Sequence, residues 1–225
     1  MNRKIIVTAD GSNSIYVEDL DEHYHSIHGA VQESEHIFIK SGLQSENLKS
    51  LDKISILEIG FGTGLNALLT YFYAIKTPKQ IHYTAIELYP LVWEEIQLLN
   101  YKNILPYAQT DDVFSLIHAA KWEESVQIAD HFTICKHKIS ALDIQFPQNS
   151  FDLVYFDAFS PDSQPELWSS MLFEKIYNSL KMNAIFVTYS VKGSVKRNLK
   201  QIGFHVEKLP GPPKKREILR GIRKN

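Results

Sequence analysis

Glu58-Ile59-Gly60-Phe61-Gly62-Thr63-Gly64 ends an apolar run at residues 54–59 (ISILEI) and leads into another at residues 65–75 (LNALLTYFYAI). The first run, short, aliphatic and closed by glycine, reads as a buried strand, and the second as a helix that stops near Pro78. Glycines keep the turn between them tight and let its backbone approach a ligand closely. Twenty-three residues after Gly64, Glu87 follows a second strand-like run, residues 81–86 (IHYTAI). In nucleotide-type sites an acidic residue there accepts hydrogen bonds from ribose hydroxyls. The spacing E-x-G-x-G-x-G, with Glu58 inside the motif, disfavours the G-x-G-x-x-G geometry of NAD sites. An ordinary βα turn, with glycines chosen for packing, is the plainer alternative.

The pattern continues outward. Residues 132–137, 151–156 (FDLVYF) and 184–189 (AIFVTY) read as strands. Residues 90–99 read as a helix, with Pro90 in its first turn, and residues 165–180 as a longer one. Trp168, Leu172, Phe173, Ile176 and Leu180 lie at helical spacing on one face of the latter. Residues 193–202 form a basic helix closed by Gly203, and residues 204–209 and 217–222 a final antiparallel pair. Strands alternating with helices imply an α/β sheet covered on both faces. Residues 1–45 differ: a hairpin signal around Asp10-Gly11-Ser12-Asn13, a polar histidine-bearing stretch, then a helical segment at 31–41. They read as an N-terminal annex to a main domain at 46–225.

Composition narrows the class. Among 225 residues, 44% are hydrophobic and 22% charged, which suits a chain with a real core. The single Cys135 rules out an internal disulfide and a multi-cysteine zinc site. Neither a signal-peptide core nor an apolar stretch long enough for a bilayer is present, so a cytoplasmic protein with no membrane partner is expected. The net charge of −2 hides an asymmetry: residues 191–225 carry eleven Lys/Arg against Glu207 and Glu217, and the rest of the chain is acidic. A basic end on an acidic body suits a polyanion; a solvated charged surface is the bland reading.

Three further segments bear candidate site residues. Asp157 follows the strand at 151–156, where open α/β sheets bind ligands, and Phe159 and Pro161 offer an apolar wall. Capping of the next turn is the alternative role for Asp157, the functional one being favoured by its position. His23, His25 and His28 invite a metal reading, but nothing nearby completes a ligand set, so no metal is expected. Ser190 and Lys192 lie after the strand at 184–189, and Lys214, Lys215 and Arg216 follow the stiff Pro210–Pro213 stretch. Phosphate contact is the functional reading of these lysines and arginine, and solubility the alternative.

Six blocks in order, DGS at 10–12, HYHSIHGAVQES at 23–34, LEIGFGTGLNAL at 57–68, YFDAFSPDSQPELW at 155–168, TYSVKG at 188–193 and GPPKKRE at 211–217, carry a resemblance. The glycine motif resembles motif I of class I S-adenosylmethionine (SAM) methyltransferases. Together the blocks resemble the methyltransferase half of the bifunctional enzyme that makes 5-methylaminomethyl-2-thiouridine in tRNA. The resemblance implies a Rossmann-like, seven-stranded class I fold, SAM as methyl donor, and 5-aminomethyl-(2-thio)uridine at the tRNA wobble position as substrate. The family's FAD oxidase has no counterpart in these residues, so a stand-alone methyltransferase form without FAD is expected. By position, Glu58, Gly60, Gly62 and Gly64 would line SAM, Glu87 would hold its ribose, and Asp157 would stand beside the reacting amine. Tyr24, Gln32 and Glu33 would help close the site, and the basic end would hold the anticodon stem-loop. One departure is visible: where such enzymes show Gly-Asp after the third strand, this chain reads Lys136-His137-Lys138. That leaves the adenine partner open between Asp111, Asp112 and Asp143. A spermidine-synthase-like aminopropyltransferase and a non-catalytic SAM- or RNA-binding module are the alternatives.

Overall fold

The computed structural model describes residues 2–224, so the outermost residues of the two expected units, Met1 and Asn225, lie outside it. A small antiparallel sheet comes first: β1 (Arg3–Val7), β2 (Asn13–Val17) and β3 (Glu22–His23). Helix α1 (Ala30–Ser34) runs on into a wider, π-type helix, Glu35–Leu43, and α2 (Glu46–Lys49) follows. Then come β4 (Lys53–Ile59), α3 (Leu65–Ile75), β5 (Gln80–Ile86), α4 (Trp93–Ile96), α5 (Tyr101–Ile104) and α6 (Thr110–Ala119). The chain continues through β6 (Ser125–Ala129), β7 (Phe132–His137) and β8 (Phe151–Phe156). It ends with α7 (Ser170–Ser179), β9 (Leu180–Thr188), α8 (Gly193–Ile202), β10 (Phe204–Pro210) and β11 (Glu217–Arg223).

The main sheet has the order β10-β11-β9-β8-β4-β5-β7-β6. Its five central strands are parallel; β11, β10 and β6 run antiparallel to their neighbours. Parallel strands buried on both faces read as continuous apolar runs. In β8, Leu153 and Tyr155 join the core cluster beneath α3, α6 and the 30–43 segment. Val154 and Phe156 join the opposite cluster with α7 and α8. The one charge in that strand, Asp152, is buried but accepts the Ser55 amide and the Lys181 ammonium, each at 2.8 Å.

The expected sheet gains a strand. β6, a short mixed-polarity segment, pairs antiparallel with β7 across a tight turn and makes eight strands where seven were expected. Two expected helices are shorter. The 90–99 segment is helical only over α4, where the Glu95 carboxylate accepts the Val92 amide at 2.9 Å and starts the helix after Pro90. The 165–180 segment is broken at Ser169: a 3₁₀ turn, Pro165–Trp168, precedes α7, and the Ser169 side chain accepts the Leu172 amide at the start of that helix. The hairpin of β1 and β2 and the closing pair β10–β11 fall where expected, within a residue or two.

Candidate active site

After β4 the chain builds β5 and β7 on one side; it then returns to place β8 and β9 on the other. This is a topological switch point, and the crevice above it is where doubly wound sheets bind ligands. The loops leaving β4 and β8 are stitched by backbone: the Asp157 amide donates to the Ile59 carbonyl at 2.9 Å, and the Gly60 amide to Ile86 at 3.0 Å. At Gly60, with φ of 88°, a Cβ would stand 2.6 Å from the Asp157 carbonyl oxygen, and at Gly62 one would stand 2.9 Å from the Tyr24 ring. The two glycines are therefore demanded by the chain's own packing as well as by the open backbone they present.

Between the loops lies a cleft of about 460 Å³. One wall is the glycine loop and Glu87, which accepts the Gly62 amide at 3.0 Å through Oε2 and the Tyr89 amide at 2.8 Å through Oε1. Each oxygen keeps lone-pair capacity for a ribose hydroxyl. Ile86, Ile139, Ala141 and Leu142 line the same cleft and form an apolar slot suited to a flat purine. The donor set and the close-approach loop thus fit an adenosyl group. None of Asp111, Asp112 and Asp143 lines the cleft, and Asp111 is paired with Lys102 on the surface. Lys136, at the position where Gly-Asp was expected, is buried; its ammonium donates to the Ile117 and His118 carbonyls at 2.9 and 2.7 Å, closing the end of α6. Burial lowers its pKa to about 8.

Asp157 faces this cleft. Its carboxyl accepts the Asn66 amide at 2.9 Å. Burial raises its pKa to about 7, with the Glu33 charge adding and Asn66 and Lys215 opposing. Glu58 lies behind the loop rather than in the cleft: it is 1% exposed, and Oε1 accepts the Asn66 amide at 3.0 Å. Burial raises its carboxyl well above the usual range. Gly64 is likewise outside the cleft lining, its Cβ position facing His118 and Phe61.

The opposite wall joins distant segments. Tyr24 meets Phe159 edge-on, with ring centroids 5.1 Å apart. Glu33 accepts the Ser26 amide at 2.8 Å and the Lys215 ammonium at 2.8 Å. That ammonium lies 4.6 Å from the Tyr189 ring centroid, and the Tyr189 hydroxyl donates to Ala158 at 3.0 Å. Lys215 therefore points into the cleft, while Lys214 and Arg216 are exposed beside it. Gln32 is exposed and borders a small adjoining cavity with Lys214. Ser190 is buried and lines neither space; Lys192 is paired with Asp162 at the surface.

Sequence reasoning passed over Asn66, Tyr189 and Glu22, the last accepting the Ser163 hydroxyl at 2.6 Å across the cleft mouth. A polar Asn in the first turn of an otherwise apolar helix was the signal available for Asn66. His25 is taken up by structure: its ring nitrogens meet Ser14 Oγ at 3.0 Å and Thr63 Oγ1 at 3.4 Å, and burial lowers its pKa to about 4.

A doubly wound sheet with an open glycine loop, a ribose-ready carboxylate and a second carboxylate across the switch point defines a transferase acting with a nucleoside-linked donor. Residues 107–224 match the family model for S-adenosyl-L-methionine-dependent methyltransferases, and the chain belongs to that family. It is 30% identical over 217 residues to the tRNA 5-methylaminomethyl-2-thiouridine biosynthesis bifunctional protein MnmC of Marinomonas sp. (strain MWYL1), covering 89% of this chain and 31% of that protein. The chain thus spans about a third of the length of the bifunctional relatives it matches. Among solved structures, it superposes on MNMC2 from Aquifex aeolicus with a TM-score of 0.82 and 25% identity, covering 99% of this chain and 70% of that one. Spermidine synthase from Thermotoga maritima shares the fold at a TM-score of 0.56 and 14% identity, covering 95% and 69%. Among the described residues no helix is long and apolar enough to cross a membrane.

Proposed function

We propose that this chain methylates the exocyclic amine of 5-aminomethyl-(2-thio)uridine at the tRNA wobble position, giving 5-methylaminomethyl-(2-thio)uridine. The reading needs SAM as donor, neither FAD nor a metal, and a cytoplasmic setting where tRNA is found. The observation that carries it is the Asp157 carboxyl, set between the glycine loop and the Tyr24–Phe159 wall with its proton affinity raised toward neutrality. The likeness to the tRNA-modifying relatives over nearly the whole chain supports the substrate class.

SAM supplies a methyl carbon already activated by its sulfonium. The amine nitrogen forms the new N–C bond, the C–S bond breaks with its electrons leaving on sulfur, and the nitrogen then sheds a proton. The protein must hold a neutral nitrogen on the C–S axis; such positioning is worth several kcal/mol of the barrier. Asp157 accepts an N–H from the amine and stabilises charge developing on nitrogen. A pKa near 7 also makes it a far better proton acceptor than an ordinary carboxylate. Tyr24 and Phe159 offer the flat walls against which an unstacked wobble base would lie. The Lys215 ammonium, held by Glu33, opposes a second positive charge in the cleft and so favours the uncharged amine. Residues 1–45 act as the wall that closes a methyltransferase domain at 46–225. Exposed Lys214 and Arg216, with the basic α8, hold anticodon-stem phosphates.

The test is incubation with methyl-labelled SAM and tRNA bearing 5-aminomethyluridine, beside unmodified tRNA, followed by digestion to nucleosides. Label in 5-methylaminomethyl nucleosides, dependent on the aminomethyl group, is expected. No transfer to either tRNA, with aminopropyl transfer from decarboxylated SAM to a diamine, would overturn the reading.

A further inference from the structure

Asn66 is the second residue of α3, yet its Oδ1 accepts no amide of that helix. Its Nδ2 instead donates to two carboxyls from different strands, Glu58 Oε1 at 3.0 Å and Asp157 Oδ2 at 2.9 Å. The reversed amide would set Oδ1 against both acceptors, so the chemistry fixes this orientation. Asn66 Oδ1 is buried without a hydrogen-bond partner among the described residues, while the buried Tyr83 hydroxyl faces the Glu58 carboxyl. Such an unsatisfied atom costs stability and persists where an arrangement is used for something else. Asn66 is 3% exposed and Glu58 1%, so the amide and its Glu58 anchor are enclosed beneath the loop.

We infer that Asn66 is a positioning residue: anchored through one amide hydrogen by Glu58, it spends the other on Asp157 and fixes the direction of that carboxylate toward the acceptor nitrogen. Glu58 thereby acts at one remove from the donor, through Asn66, rather than by lining SAM. The catalytic consequence rests on the function proposed above; the coupling of the three side chains does not. A hydrogen bond to the ionised carboxylate favours that form, so Asn66 holds the Asp157 titration lower than burial alone would. Burial, and after it the Asp157 charge, push the Glu58 carboxyl up, which eases repulsion between the two.

The experiment pairs two readouts on wild type, Asn66→Leu and Asn66→Asp: carbon-detected NMR titration of the Asp157 carboxyl, and the pH profile of single-turnover methyl transfer with saturating SAM. Both variants are expected to raise the Asp157 titration, by about one unit for Leu, and to shift the acid limb of the rate profile by the same amount. The rate plateau should fall about 100-fold, the order of loss that follows misplacement of a reacting group. Asn66→Asp, nearly isosteric, guards against misfolding of the leucine variant. Glu58→Gln, which preserves an acceptor oxygen for Asn66, should recover at least a tenfold part of what Glu58→Leu loses. Unmoved titration and unmoved limb in both Asn66 variants would overturn the inference. A moved titration with no transfer by wild type would uphold the coupling and overturn the proposed substrate instead.

Discussion

The two walls of the cleft are built in different ways. The wall formed by Gly60, Gly62, Glu87 and Asp157 is made by turns at the ends of adjacent parallel strands. Backbone bonds such as Asp157 to Ile59 and Gly60 to Ile86 set its geometry. The facing wall is made by side chains: Tyr24 on Phe159, and Glu33 on Lys215 across 182 positions of sequence. A backbone-built wall is as rigid as the sheet; a wall closed by one partly buried ion pair can open at modest cost. On the proposed function, the rigid side holds the donor, which is the same in every turnover, and the side-chain wall admits a large RNA and closes on its base.

If the first wall is rigid because backbone fills every gap, a methyl group at Gly60 should wreck it. Gly60→Ala, with its Cβ 2.6 Å from the Asp157 carbonyl at positive φ, is expected to weaken SAM binding at least 30-fold by calorimetry. Binding within threefold of wild type would show the loop to be pliant.

The second wall is probed by its ion pair. Lys215→Met removes a charge that lowers the Asp157 pKa, so that pKa rises and less of the carboxyl is ionised at pH 7. Methyl transfer at pH 7 should fall about tenfold and recover in part at pH 8.5, with SAM affinity unchanged. A uniform loss across pH would make Lys215 a substrate anchor only.

A stability measurement asks how firmly the annex is tied to the glycine loop. His25, joined to Ser14 and Thr63, has its pKa lowered to about 4 against an unfolded value near 6.5. The unfolded chain therefore binds the extra proton between those values, and stability contributed by neutral His25 is lost as pH falls from about 6.5 toward 4. One such group gives a slope of at most about 1.4 kcal/mol per pH unit. His25→Gln should remove that much from the slope of urea-unfolding free energy between pH 6.5 and 4.5. An unchanged slope would mean that the ring is protonated without unfolding.

The smallest effect is expected outside both walls. The double variant Lys214→Gln/Arg216→Gln should weaken tRNA binding a few-fold and reduce its salt slope by about one to two, as two lost phosphate contacts would. Single-turnover rates at saturating tRNA should stay within twofold. A fall in rate at saturation would move these residues into the cleft's chemistry.

The same contrast explains what was legible in the sequence. Gly60, Gly62, Glu87 and Asp157 sit at the ends of apolar runs, and the βα alternation alone brings such positions to one edge. The inward turn of Lys215 between outward Lys214 and Arg216 depends on a partner in α1, and no local pattern encodes a contact across 182 positions. Glu58 shows a subtler limit. Its place in the motif was plain, but its role depends on which side of the loop the side chain falls, and it falls beneath, onto Asn66. Strand β6 was missed because an edge strand of mixed polarity, packed partly in the open, has no periodic signature to distinguish it from a turn.

The most direct test is single-turnover methyl transfer by Asp157→Asn at saturating SAM with tRNA bearing 5-aminomethyluridine. The variant should bind SAM within threefold of wild type and transfer methyl at least 100-fold more slowly at every pH from 6 to 9. Transfer at the wild-type rate, with the acid limb near pH 7 intact, would contradict a carboxylate-steadied amine at the switch-point crevice.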